Sequence, residues 1–365
     1  MPLSKIQDIG NQVTPNIGRR NFIINGALNI DQRLAFGTTT TADGSGYLGD
    51  RLNIEGLVGG GGATMQVVSD APDAFPNGKS AKVTVTGTDG SLADADRYTL
   101  RHIIEGRNSA RLGFGTSNAK TCTLSFYVKS SLTGTFCVAV GNGANNRGRP
   151  FEYTINSANT WERKTIEVAG DTSGTYSTDT GRGIILRWCM GIGANRQAAL
   201  GSYSAQEVHG TSNQTNLFAT NSATFQITGL QFEEGSVATE FEHLSFAEEL
   251  RLCMRYYEKS YNLGVVPGTA GTAGAVNYQG AIFFTTAANN HHHEIQYKER
   301  KRTVPTLVIY NTHTGATGSN YSHHDNSSTT HSDTWANGEN GTRVSFDGTG
   351  DGERTEFHYT AEAEL

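Results

Sequence analysis

Between residues 21 and 242 apolar and polar side chains alternate with period two, the spacing that turns one face of a strand to a core and the other to water. In KTCTLSFYVKSS, Cys122, Leu124, Phe126 and Val128 share one face, and Thr123, Ser125, Tyr127 and Lys129 the other. Phe136, Val138 and Val140 form a second such set, Ile184, Leu186, Trp188 and Met190 a third, and Val83 with Val85 a shorter one. In ATFQITGLQFEEG the inward set Phe225, Ile227 slips by one to Leu230, Phe232, which predicts a bulge at Gly229. Eight or so runs divided by Gly, Asn and Asp turns predict a sandwich or jelly roll.

The period changes at residue 245. Ser245 and Glu248 make an S-x-x-E capping box, and Phe246, Leu250, Cys253, Met254 and Tyr257 then recur at helical spacing, predicting a helix of about a dozen residues. LGVVPGTAGTAGAVNYQG reads as a turn-rich connection, after which strand pattern resumes in EIQYKERK, PTLVIYNT, TRVSF and TEFHYT. Residues 1–20 have only Leu3, Ile6, Ile9, Val13 and Ile17 as an apolar set, interrupted by Pro2, Gly10, Pro15 and Gly18. Their spacing of three or four fits a short amphipathic helix or an anchor segment that orders only against a partner, and they are expected to be an attachment arm. The chain is therefore expected to be all-β: an arm (1–20), a jelly-roll β-sandwich (21–243), a short connecting helix (244–260) and a smaller C-terminal β-domain (261–365).

Composition agrees. The 365 residues include 44 glycines and 18% charged side chains, against about 25% charged in typical soluble proteins. A net charge of -6 leaves no large positive field, so a nucleic-acid partner is not expected. Cys122, Cys137, Cys189 and Cys253 form no CxxC pair, and three of the four fall inside strand-like runs, which predicts reduced, packed thiols. The N-terminal residues contain no signal-peptide apolar core and no run approaches a membrane span, so synthesis in a cytoplasm without membrane insertion is expected.

Three segments carry a resemblance. GRRNFIINGALNIDQR (18–33) resembles the opening N-L-x-I-N-G-x-x-x-x-x-Q-R stretch of a family of tailed-bacteriophage tail fibre and virion structural proteins. ITGLQFEEGSVATEFEHLSFAEELRLCMRYYEKS (227–260) is similar to their run from the last sandwich strand into a helix ending Arg-Tyr-Tyr, and EIQYKERKRTVPTLVIYN (294–311) matches more loosely. The resemblance implies a carbohydrate-binding-module-like jelly roll, a homotrimer, and a place on the virion exterior after assembly in the host cytoplasm. It implies host attachment, a host cell-surface glycan or other receptor as partner, and contact with other virion proteins through the arm. It extends to no long attachment domain, which leaves open a head or neck decoration role.

Sequence-local catalytic signatures are absent: there is no nucleophile elbow, Walker loop or H-E-x-x-H. No enzyme is expected; the enzyme-class alternative, a glycan depolymerase, would need two carboxylates such as Asp94 with Asp96 or Glu233 with Glu234. GGGG at 59–62 reads as a hairpin loop, and DGTGDG at 347–352, with Asp347 and Asp351, as a hairpin turn rather than a calcium loop. His291 and His293 precede EIQYK on one face, so three chains could bring imidazoles to a metal at a trimer axis; otherwise no cofactor is expected. NYSHHDNSSTTHSDTWANGENG (320–341) reads as a long polar loop. Its Tyr321, His323, His324, Asp325, His331 and Trp335 mix aromatic faces with hydrogen-bonding groups and suit a receptor glycan. Trp161 and Trp188 lie beside strand patterns and are expected in the core.

Overall fold

The computed structural model describes residues 18–36, 40–42, 45–58, 60–76, 78–279, 290–322, 327–335, 337–347 and 354–365. The arm residues Leu3, Ile6, Ile9, Val13 and Ile17 lie outside this set. Twelve strands build the sandwich: β1 (Thr40–Ala42), β2 (Ser45–Tyr47), β3 (Leu52–Val58), β4 (Gly62–Val68), β5 (Ser80–Gly87), β6 (Arg97–Glu105), β7 (Cys122–Ser130), β8 (Gly134–Asn142), β9 (Gly148–Ile155), β10 (Glu162–Val168), β11 (Arg182–Ile192) and β12 (Thr224–Glu234). A one-turn helix α1 (Gly106–Ser109) follows β6. The first sheet has the order β1-β4-β5-β12-β7-β10 and the second β2-β3-β6-β11-β8-β9, all pairs antiparallel.

Period-two alternation becomes burial between these sheets. Leu124, Phe126, Val128, Leu186 and Trp188 are all fully buried in one cluster with Phe136, Val138, Val140, Val83 and Val85. Phe126 meets Tyr153 and Trp188 edge-on at centroid separations of 5.2 and 5.9 Å. The bulge falls where the slip in β12 predicts it: the β7 register shifts between Thr228 and Gln231, and Gly229 takes φ +62°. A Cβ there would lie 2.7 Å from the Phe75 ring. The four cysteines are free and buried. Two local expectations fail. β3 and β4, which flank the 59–62 glycines, belong to the second and first sheet respectively and do not pair as a hairpin. Trp161 sits half-buried outside the core, its indole N–H donating to Asp70 at 3.2 Å, because it precedes the edge strand β10 on the outward face.

Helix α2 (Phe246–Met254) begins at the Ser245 cap with both capping-box bonds formed. It ends after nine residues, and Tyr257 belongs to the next strand, because the side chains of 255–257 are taken up by tertiary partners. The C-terminal sheet contains β13 (Tyr257–Lys259), β14 (Val276–Gln279), β15 (Asn290–Gln296), β16 (Thr306–Asn311), β17 (Ser319–Ser322), β18 (Ser327–Trp335), β19 (Gly341–Asp347) and β20 (Arg354–Glu362). Its order is β13-β20-β17-β18-β19-β15, with β14 and β16 also paired to β20. Ile295, Ile309, Val344, Phe346, Phe357 and Tyr359 form its small core.

The segments 18–33 and 227–260 weld these parts together. Asn21 donates to the Leu230 carbonyl and accepts from the Ile23 and Phe232 amides. Asn25 donates to the carbonyls of Ile30 and Asp50, while Gln32 bridges the Asp50 carboxylate and the Tyr257 carbonyl. Gly26 is required: a Cβ would stand 2.1 Å from the Leu230 oxygen. Beneath them Ile24, Ile30, Ile103, Ile185, Cys253, Tyr256 and Leu365 pack as one apolar cluster. Glu105 receives a bidentate pair from Arg255 at 2.7 and 2.9 Å and the Tyr256 hydroxyl at 2.7 Å. Arg51 pairs with Glu364, and Arg302 donates to the carbonyls of Thr180, Ala363 and Glu364.

Candidate functional site

Adjacent residues on a strand face opposite ways, so Phe357 and Tyr359 of β20 enter the core while Glu356 and His358 lie on the other face, His358 buried under Tyr261. On that face the pairing sets Tyr310 of β16 opposite His358 and Tyr321 of β17 opposite Glu356. His358 stacks on Tyr261 at 3.7 Å and is bound by the Ser260 hydroxyl at 2.9 Å and the Thr272 carbonyl at 3.2 Å. Burial, with the Thr272 and Glu356 contacts opposing, pushes its pKa down. At the open end of the band His313 stacks on Tyr321 at 3.5 Å with ring planes 19° apart, and its side chain is 49% exposed. Thr312 donates to Glu356 at 2.8 Å, and the His313 ring lies 3.6 Å from the same carboxylate. Asn311 is buried below, pinned to the Asn320 carbonyl at 2.6 Å and the Ser328 hydroxyl at 3.0 Å, which fixes the turn that presents His313. The result is a flat solvent-facing ring backed by a second ring, with a hydrogen-bonded carboxylate at its edge.

This rearranges the residues that sequence grouped. The described part of the 320–341 stretch is strand and not a long loop: β17 and β18 pair from Ser319↔Thr330 to Ser322↔Ser327. Hydroxyl and β-branched residues satisfy a strand without apolar alternation, so the pattern was silent. Tyr321 lies opposite Ser328, and Trp335 lies seven residues further along β18, roughly 20 Å away at strand rise. The two positions are therefore far apart along the strand pair. His331 and Trp335 are on β18 opposite Phe346 and Arg343; their side chains, and all of His323, His324 and Asp325, fall outside the described residues. His313 and Glu356 were missed: Glu356 joins Tyr321 through β20 and His313 through the turn between β16 and β17, neither of which local spacing names; the E-x-H spacing of Glu356 and His358 was the available signal.

The histidine pair at the head of β15 also changes meaning. His293 is buried, hydrogen-bonded to Thr355 at 2.9 Å and flanked edge-on by Phe346 and Phe357. It is a core histidine and is not presented to a trimer axis; the His291 side chain lies outside the described residues. Glu55, Glu207 and His209 bring ligand atoms within 4.8 Å of one another. However, Arg187 donates to Glu55 at 2.7 Å and lies 3.4 Å from Glu207, already supplying the positive charge. Asp96 is bound to the Ala93 amide and Glu233 to Thr239 and Gln231, so each is used locally in holding its own segment.

Burial pushes His209 down to about 4 despite the Glu207 contact at 3.1 Å, so the ring is neutral at pH 7. Its contacts assign Nε2–H as donor to Glu207 and Nδ1 as acceptor from Thr99 at 2.9 Å. Between about pH 6.5 and 4 the unfolded chain binds a proton that the native ring refuses, so this contribution to stability falls as pH falls. His209→Gln removes the titration. Relative to that variant, the wild type should lose about 2–3 kcal/mol between pH 7.5 and 4.5 in urea unfolding. Parallel pH profiles for the two proteins would refute the assignment.

No protein-family model matches the chain, and no curated protein does. Among solved structures it is similar to the enzymatically active domain of tailspike protein 4 from bacteriophage CBA120, at 10% identity and TM-score 0.29 over 59% of this chain. The match spans 21% of that chain. It is also similar to TmCBM61 in complex with beta-1,4-galactotriose, at 10% identity and TM-score 0.28 over 60% of this chain and 100% of that one. A family 11 carbohydrate-binding module from Clostridium thermocellum, in complex with a mixed-linked tetrasaccharide, matches at 14% identity and TM-score 0.25 over 55% and 90%.

Proposed function

We propose that this chain is a structural protein of a tailed-bacteriophage virion, a homotrimeric tail fibre or adhesin on the particle exterior that displays its C-terminal domain to a host-surface glycan. The observation that carries this reading is the junction. The two segments that most resemble virion proteins are spent on buried hydrogen bonds joining the sandwich, α2 and the C-terminal sheet, which suits a part that transmits position instead of performing turnover.

The His313–Tyr321 stack supports the glycan part. A sugar ring has an apolar face that lies on an aromatic plane, and hydroxyls that meet carboxylate, amide and hydroxyl groups at its edge. Contact at one site would be modest, and three copies would raise it through effective concentration. His313→Ala should leave the melting temperature within about 2 °C, since an exposed ring adds little to the core, while binding of purified protein to host cells falls at least tenfold. Unchanged binding would overturn the placement. Loss on Trp335→Ala with none on His313→Ala would move recognition to the far end of β18, and full binding by both variants would favour a decoration role.

A further inference from the structure

Cys137 and Cys189 stand opposite each other at the last rung shared by β8 and β11, on the outward face, since Phe136, Val138, Trp188 and Met190 take the inward one. With Ile192 they form a small buried cluster of their own. Gln214 holds both ends of the rung, its amide accepting from the Cys137 N–H at 2.7 Å and donating to the Cys189 carbonyl at 3.2 Å. Side chains directly opposite on antiparallel strands have Cβ atoms about 4.5–5.5 Å apart, and a disulfide needs about 3.5–4.5 Å. Closing by about 1 Å is enough, and at the end of the strand pair only one neighbouring rung resists it.

The surroundings distinguish the two sulfurs. Cys137 Sγ accepts from the Thr211 N–H at 3.4 Å and lies 3.5 Å from the Thr211 hydroxyl, which donates its own proton to Glu152. The thiol proton therefore points to Thr211 Oγ1, and the chain of bonds runs on to a carboxylate. Burial pushes both thiols up, with the Thr211 bonds opposing it at Cys137; at Cys189 the neighbouring Cys137 adds to it and the Gly191 amide opposes. Glu152 and Thr211 line a surface hollow of about 590 Å³, and Cys137 lies directly behind Thr211. That wall belongs to the connection between β11 and β12, which has no strand of its own and so opens locally at less cost than a ladder.

We infer that Cys137 and Cys189 are an oxidisable pair that closes to a disulfide by exchange with a small-molecule disulfide, Cys137 being the attacking thiol. Its proton passes through Thr211 to Glu152, and the thiolate displaces one thiolate from the oxidant, leaving a mixed disulfide on Cys137. Cys189 then attacks the Cys137 sulfur and expels the second thiolate. In sum two protein thiols are oxidised and one small disulfide is reduced to two thiols, which carry off the two protons. The pair is independent of the virion and glycan readings, which use other residues.

Folded full-length protein held with millimolar oxidised glutathione, then unfolded and alkylated with N-ethylmaleimide, should show two alkylated thiols where the untreated protein shows four. Digestion should give one peptide pair joined through Cys137 and Cys189. Cys189→Ala should stop with glutathione on Cys137, while Cys137→Ala takes up about tenfold less. Glu152→Gln should slow the loss of thiols about tenfold near neutral pH, with the deficit shrinking as pH rises, because hydroxide then replaces the relay. Four alkylated thiols after prolonged treatment, a bond that forms only in urea, or a bond to Cys122 or Cys253 would overturn the pairing. Equal uptake by the two single variants would overturn the order of attack, and a wild-type rate in Glu152→Gln at neutral pH would overturn the relay.

Discussion

Replacing Glu258 by alanine should destabilise the protein by about 3–5 kcal/mol, the usual cost of removing one partner from a buried ion pair. Glu258 and Lys301 are both fully buried and in contact at 2.5 Å. The carboxylate also accepts from the Tyr359 hydroxyl at 2.7 Å and the Lys298 amide at 3.0 Å. Burial pushes the Lys301 pKa down and Glu258 opposes it, so the ammonium is held charged largely by this partner. Without it, a cation remains bonded only to the Met254 carbonyl, at the seam between α2 and the C-terminal sheet. Chemical unfolding should show the C-terminal domain loosening first, read as early loss of amide protection in β13 and β20. A destabilisation below about 1 kcal/mol would mean that water reaches Lys301 and the pair is not a closed seam.

Phe126→Ala should cost a similar 3–5 kcal/mol by a different route, loss of buried apolar contact plus the cavity left behind. Phe126 is completely buried, and its edge-on contacts with Tyr153 and Trp188 tie β7 in the first sheet to β9 and β11 in the second. The transition midpoint in urea should fall with little change in slope, since the folded surface stays the same. Retention of wild-type stability would contradict the assignment of this face to the core. Phe126→Leu should recover part of the loss by refilling some of the volume.

The sequence by itself determined five of the sandwich strands, β5, β7, β8, β11 and β12, the inward face of each, the Gly229 bulge and the helix start at Ser245. Each is written locally: period two names a face, a slip by one names a bulge, and a hydroxyl three residues before a glutamate names a cap. The helix end was not legible, because Arg255, Tyr256 and Tyr257 leave helical spacing for partners at Glu105, Asn108 and the C-terminal sheet. The nature of the 59–62 connection was equally hidden, since glycines permit a hairpin or a crossing and only the partners of β3 and β4 decide.

Tertiary structure also decided the candidate site. Tyr321 could be read as an aromatic among polar groups, but Glu356 reaches it only because β20 pairs with β17, and His313 stacks on it across the turn between β16 and β17 that Asn311 pins. Likewise H-x-H spacing could not tell a surface ligand from a core histidine. That distinction depends on Phe346, Phe357 and Thr355, more than fifty residues away, which enclose His293. Local spacing determines which way a side chain points relative to its own strand. What it then meets depends on contacts between distant segments, and those exist only once the sheets have closed.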